Sequence, residues 1–183
     1  SVDYDRDCGS GGCVVSAIAN YTQRAGDNRY SLANRKQALE FLVHFLGDVT
    51  QPLHDEAYEL GGNDISVQFD GKKTNLHAVW DTSMPEQYVG GYQLSDARRW
   101  ATQISNAIKS GQYSSQKERW LDGMDISDPQ GSALNWAKDA NAYVCSNSLK
   151  GGASAVQMGD LNGTYYNNNF PVVQQQIAKA GYR

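Results

Sequence analysis

Lysine and arginine nowhere gather into a tract: 16 basic side chains are scattered among 20 acidic ones, for a net charge of −4. That balance excludes a protein that grips nucleic acid through a broad basic face. It leaves open an enzyme that meets phosphate through metal ions, because a bound cation outweighs the side chains around it. No stretch approaches the roughly 18 consecutive apolar residues of a membrane-spanning helix. Neither a Gly-x-Ser-x-Gly elbow nor a phosphate-cradling P-loop occurs, so nothing suggests a covalent serine route. Cysteine is sparse, with three in the chain. Cys8 and Cys13, bracketing Gly-Ser-Gly-Gly, read as a small disulfide staple; as half of a metal site they lack a second cysteine pair. Cys145 is left over, either a free thiol or one whose partner lies outside the sequence. The sequons Asn20-Tyr-Thr22 and Asn162-Gly-Thr164 are candidate glycosylation sites and agree with an oxidising, secreted setting.

With 40% hydrophobic and 20% charged residues, the chain is expected to form one mainly α-helical domain over residues 1–183. Leu32, Leu39, Leu42, Val43 and Leu46 recur near helical period, which predicts a core helix from Ser31 to Gly47. Pro52 then interrupts, placing His54 just after a turn or in a new short helix. Ile65 to Phe69 alternates apolar and polar, Asp70-Gly71 is a hairpin turn signal, and Lys72 to Thr74 starts the return strand. This single small hairpin is expected to rim the site described next. Asn75 is a candidate N-cap for a helix carrying His77 and Asp81, ended by Met84-Pro85. Further helices are expected from Leu94 to Lys109, started by Ser95, from Ser132 to Leu149, and from Pro171 to Ala180. Trp80 and Trp136 sit at helical spacing and read as core.

Histidine is as scarce as cysteine, yet all three fall between positions 44 and 77. They stand in His44-Phe-Leu-Gly-Asp48, Gln51-Pro52-Leu53-His54-Asp55-Glu56 and His77-Ala-Val-Trp-Asp81. Two of them have Asp four residues on, which on a helix puts imidazole and carboxylate on one face. Nitrogen and oxygen donors without a nearby thiolate suit catalytic zinc better than a Cys-rich structural site. Three His and two or three Asp can hold more than one ion, and a phosphate ester is the substrate class that most rewards such a cluster. Asp48 could bridge two ions, Asp55 and Glu56 could orient ligand histidines, and Asn63 in Gly61-Gly62-Asn63 is a weak candidate for substrate contact.

At these residues the chain resembles a family. Phe41-Leu-Val-His44-Phe-Leu-Gly-Asp48-Val-Thr-Gln-Pro-Leu-His54, with Asn75-Leu-His77-Ala-Val-Trp80-Asp81, is similar to the trinuclear-zinc, single-strand-specific nucleases with 3′-nucleotidase activity of fungi and plants. Their superfamily also holds bacterial zinc phospholipases C. The likeness runs from Ser1-Val-Asp-Tyr-Asp-Arg-Asp-Cys8 through Asp122-Gly-Met-Asp125 and Trp136-Ala-Lys-Asp-Ala-Asn141 to Ala180-Gly-Tyr-Arg183.

The resemblance implies a secreted α-helical monomer with three zinc ions in a cleft. His44 would bind one zinc of a close pair, Asp48 would bridge that pair, and His54, His77 and Asp81 would hold the third ion. The implied reaction is hydrolysis of single-stranded DNA and RNA to 5′-nucleotides, plus removal of 3′-phosphates from mononucleotides. In the family an N-terminal Trp and further His, Asp and Arg residues lie upstream of the position that Ser1 matches. The family's last helix also runs past the position of Arg183. By resemblance, then, this chain supplies one complete zinc site and half of the close pair, and Cys145 pairs with a cysteine upstream of Ser1. The rival readings are a zinc phospholipase C-like phosphodiesterase and a non-catalytic secreted glycoprotein stapled by metal.

Overall fold

The computed structural model describes residues 1–183, of which 66% are helical and only one hairpin is strand, a mainly α fold. In order, the helices are α1 (Tyr4–Asp7), α2 (Val14–Gly26), α3 (Leu32–Asp48), α4 (Leu76–Ala78), α5 (Met84–Val89), α6 (Leu94–Lys109), α7 (Pro129–Tyr143), α8 (Ala153–Val156) and α9 (Thr164–Tyr182). No helix is long and apolar enough to cross a membrane. Strands β1 (Ser66–Phe69) and β2 (Lys72–Asn75) pair antiparallel, with Val67 opposite Thr74. The turn between them has positive φ at both Asp70 and Gly71, as a two-residue hairpin of matching twist requires. The Asp160 carboxylate accepts hydrogen bonds from both turn amides.

Two hydrophobic clusters organise the helices. The larger joins Leu53, Leu76, Trp80, Trp100, Phe170 and Val173 among its members and lies beneath the segments that carry His54, His77 and Asp81. The smaller, built on Val15, Ile18, Val49 and Trp136, holds α2 against α3 and α7. Both Trp80 and Trp136 are core residues, as their spacing predicted. Buried polar groups stitch the layers together. Trp80 Nε1 donates to Tyr165 Oη at 2.7 Å, and that hydroxyl donates to Ser148 O at 2.9 Å. Gln176 on α9 donates to Thr50 O at 2.9 Å, fixing the chain as it leaves α3.

Several sequence expectations need correction. Ser31, the predicted first residue, caps α3, but α3 is not a core helix. Only Ala38 is buried along it, while Leu32 (81% exposed), Leu39 and Val43 face outward. Its apolar residues spread around the helix, whereas α2 covers one flank and α9 touches it only in part. Met84-Pro85 does not end the helix that carries Asp81. A π turn (Val79–Ser83) links α4 to α5, which runs on to Gly90. The widened turn admits Pro85, whose missing N–H costs nothing in the first turn of α5. Helix α6 is capped by Gln93 with Asp96 rather than started by Ser95. Helix α7 starts at Pro129, capped by Asp128, instead of Ser132, and continues into a second π turn (Val144–Ser148). Helix α9 begins at Thr164 and carries Pro171 inside it. Phe170 and Val173 anchor it in the core, so packing outweighs the proline penalty of about 3 kcal/mol. Helix α2, whose N-terminal Cys13 N–H donates to Ser16 Oγ at 2.9 Å, was not read from the sequence.

Candidate metal centre

Each of the three histidines reaches the centre on a different local device. His44 and Asp48 stand one turn apart at the end of α3, with His44 Nε2 3.2 Å from Asp48 Oδ2. His54 lies in a tight 3-10 turn (Pro52–Asp55) that starts where Pro52 stops α3 from continuing. Its neighbours Pro52 and Leu53 are buried, which fixes the turn to the larger core. His77 sits on α4, where Asn75 Oδ1 accepts from Ala78 N at 2.8 Å and sets the helix start directly after β2. Asp81 follows in the π turn, with one oxygen, Oδ2, 3.1 Å from His77 Nε2.

The result is a string of alternating imidazoles and carboxylates. His54 Nδ1 is 3.5 Å from Asp48 Oδ1, and His54 Nε2 is 3.4 Å from Asp81 Oδ1. The rings of His54 and His77 stack at 5.0 Å between centroids, tilted by 17°. His54, His77 and Asp81 form the compact group: each offers one donor atom, all within 4.8 Å of one another. His44 and Asp48 adjoin that group through the contact of Asp48 with His54 and stand outside it.

Charge reinforces the arrangement. Burial opposes a proton on His54, but the hydrogen bond and charge of Asp81, with the charge of Asp48, more than compensate and raise its pKa. Burial likewise works against charge on Asp81, and hydrogen bonds from His54 and Gln51 still hold its carboxyl below the ordinary range. Burial pushes the Asp55 carboxyl up to about 9, helped by repulsion from Asp48. Asp55 Oδ2 has no hydrogen-bond partner although it is buried. This donor set fits a divalent metal: two imidazoles and a carboxylate converge, with surplus acidic oxygen beside them.

Two supports were missed in the sequence. His77 Nδ1 donates to Gly61 O at 2.8 Å, because a carbonyl can only accept. That tautomer leaves Nε2 with a free lone pair toward Asp81 and His54. The carbonyl is delivered by a left-handed turn in which Glu59, Leu60, Gly61 and Gly62 all have positive φ. A Cβ on Gly61 would lie 2.5 Å from Leu53 O, so this position admits only glycine without rearrangement. The Gly-Gly pair signalled the turn, but nothing signalled its use. The other support is Gln51, whose Nε2 donates to Asp81 Oδ1 at 2.9 Å. Asp55 and Glu56, expected to orient histidines, make no such contact. Glu56 instead accepts from Tyr58 N and Asn141 Nδ2.

Asn63 Nδ2 donates to Leu60 O at 2.8 Å and so helps close the left-handed turn. Two cavities of about 600 and 610 Å³ meet at His54. One opens toward Asp55, Glu56 and Tyr4, the other toward Asp48, Gly61, His77 and Leu60, a residue 69% exposed. Away from the centre, Cys8 and Cys13 form the expected disulfide, and Cys145 is exposed and unpaired among these residues. Asn20 is exposed on α2. Asn162 is tied into the hairpin, donating to Asp70 Oδ1 and accepting from Gln87.

The sequence was also compared with known proteins. The family model described as S1/P1 Nuclease matches residues 1–183. Nuclease P1 of Penicillium citrinum is 55% identical over the whole chain, which covers 68% of that protein. Nuclease S1 of Aspergillus oryzae is 52% identical, and the chain covers 63% of it. Endonuclease 3 of Arabidopsis thaliana is 31% identical over 99% of the chain and 62% of its own length. This chain therefore spans roughly two thirds of these relatives. The S1/P1 nucleases are metal-dependent, in keeping with the His54, His77 and Asp81 group. The chain belongs to the S1/P1 nuclease family.

Proposed function

We propose that this protein is a secreted, monomeric zinc nuclease. It hydrolyses single-stranded DNA and RNA to 5′-nucleotides and removes the 3′-phosphate from mononucleotides. The observation that carries this reading is the convergence of donor atoms of His54, His77 and Asp81 within 4.8 Å of one another, with His54 lining both nucleotide-sized cavities and His77 one of them. Residues 1–183 belong to a single zinc-dependent nuclease domain.

His54, His77 and Asp81 would hold one zinc ion, and His44 with Asp48 would contribute to a neighbouring close pair. Zinc bound there would polarise the phosphoryl oxygens, acidify water and stabilise the leaving 3′-oxygen. Gly61 O holds the proton of His77 on Nδ1, away from the reacting phosphate. Asp48, between His44 and His54, would help to hold the neighbouring ions, and its carboxylate would accept a hydrogen bond from the attacking water. A base paired in a duplex cannot enter these cavities, whereas an unstacked one can, which gives the single-strand preference its physical basis. Asn63 at the turn beside Leu60 is a candidate for substrate contact. Within the same reading Asn20 and Asn162 carry glycans, and Cys145 pairs with a cysteine beyond these residues.

The test is hydrolysis of single-stranded DNA, duplex DNA, a 3′-mononucleotide and phosphatidylcholine, each before and after chelation and zinc restoration. Zinc-restored cleavage of the single strand and the 3′-mononucleotide is expected. Preference for phosphatidylcholine would assign a phospholipase instead, and hydrolysis of none of them would leave a metal-stapled glycoprotein.

A further inference from the structure

Asp81 is the one carboxylate in the string whose metal-facing geometry is held by a neutral side chain. Gln51 Nε2 donates to Asp81 Oδ1 at 2.9 Å, an oxygen that also lies 3.4 Å from His54 Nε2, while Oδ2 faces His77 Nε2 at 3.1 Å. The amide cannot be turned around, because its other end, Oε1, accepts from Leu53 N, a backbone donor. One amide thus ties the turn bearing His54 to a carboxylate 30 residues away. Leu53 and Pro52 are buried, so the anchor at the Oε1 end is rigid.

We propose that Gln51 is a positioning residue for the metal centre: it occupies Asp81 Oδ1 and thereby presents Oδ2 as the single metal donor beside His77. A neutral donor does this without cancelling the carboxylate charge, as Lys or Arg would. Without it Asp81 is free to rotate and offer both oxygens, which raises the coordination number and loosens the site. Contacts that orient metal ligands are typically worth roughly 10–100-fold in metal affinity, and a loss in that range is expected here. The inference rests on the zinc reading above and deepens it.

The test uses the protein expressed from its complete gene, loaded with cobalt(II) and challenged with a graded chelator. His77→Ala first identifies which metal equivalent and which absorption belong to this site. Gln51→Glu keeps the acceptor for Leu53 N and loses the donor to Asp81; Gln51→Met loses both without adding charge. Both variants should release that one equivalent at ten-fold or more lower chelator concentration than wild type. Both should also show weaker visible absorption for it, since cobalt absorbs less as its coordination number rises. The other equivalents should be unmoved. Wild-type retention and spectra in both variants would overturn the inference. An effect in Gln51→Met alone would assign Gln51 to capping the turn, and one in Gln51→Glu alone would reflect the added charge; either also overturns it. Should His77→Ala remove no metal equivalent at all, the zinc reading fails first, and the role of Gln51 with it.

Discussion

The chain contains the pattern His-x3-Asp twice, and the two copies have different fates. His77 and Asp81 lie over the larger core, between buried Leu76, Val79 and Trp80. His77 is clamped by Gly61 O and Asp81 by Gln51 Nε2, and the His77 side chain is 20% exposed. His44 and Asp48 have the same spacing on a regular helix, but α3 is mostly uncovered and the His44 side chain is 69% exposed. Spacing alone brings imidazole to carboxylate in both places. Only where a second contact holds each ligand does the pair become part of a compact three-residue group. Preorganisation, not ligand type, separates the two.

The largest effect should come from removing a clamped ligand. Asp81→Ala takes away a donor itself, so hydrolysis of single-stranded DNA should fall by more than the roughly 100-fold upper range for orienting contacts. Steady-state assays at saturating zinc measure it, and a loss under ten-fold would break the distinction between the two pairs. Next comes Gly61→Ala. Its Cβ would collide with Leu53 O in a left-handed backbone, so thermal unfolding should show a loss of roughly 1–3 kcal/mol. Metal retention against a chelator should drop with it.

A graded effect is expected with pH. Burial disfavours the His54 proton, but Asp81 and Asp48 hold it more strongly, so the folded pKa lies above the ordinary value. In the metal-free protein this contributes stability that is complete below the unfolded pKa and disappears as pH rises through the folded one. Metal must displace the same proton, so affinity at this group should weaken as pH falls below the raised pKa of His54. Asp81, with its pKa lowered, should stay ionised through that range. Competition titrations across neutral to mildly acidic pH would show the trend, and a flat profile would remove His54 from the ligand set. The smallest effect belongs to the other pair. At Gly47, between His44 and Asp48 on α3, an added Cβ would meet no atom within 4 Å. Gly47→Ala should therefore stabilise by up to about 1 kcal/mol in a denaturant melt, the opposite sign from Gly61→Ala.

Much of this was legible from residue types and spacing. The five His and Asp candidates, the break at Pro52 that sets His54 in a new local element, the Asn75 cap and the Asp70-Gly71 turn are local signals, and local physics determines them. The clamps were not legible, because Gln51 meets Asp81 from 30 residues away and Gly61 acts through a backbone carbonyl, which no side-chain pattern marks. The interior Pro171 of α9 and the continuation through Pro85 were misread for the same reason: packing on Phe170 and a widened turn override the local stop signal. Periodicity also overstated the burial of α3, since it reports where apolar residues lie and not what covers them.

The most direct measurement is the zinc content, by elemental analysis, of wild type and His77→Ala purified side by side without chelators. The account predicts one zinc fewer per molecule in the variant. Equal zinc in both would contradict it, returning His77 to the role of a hydrogen-bonded core histidine.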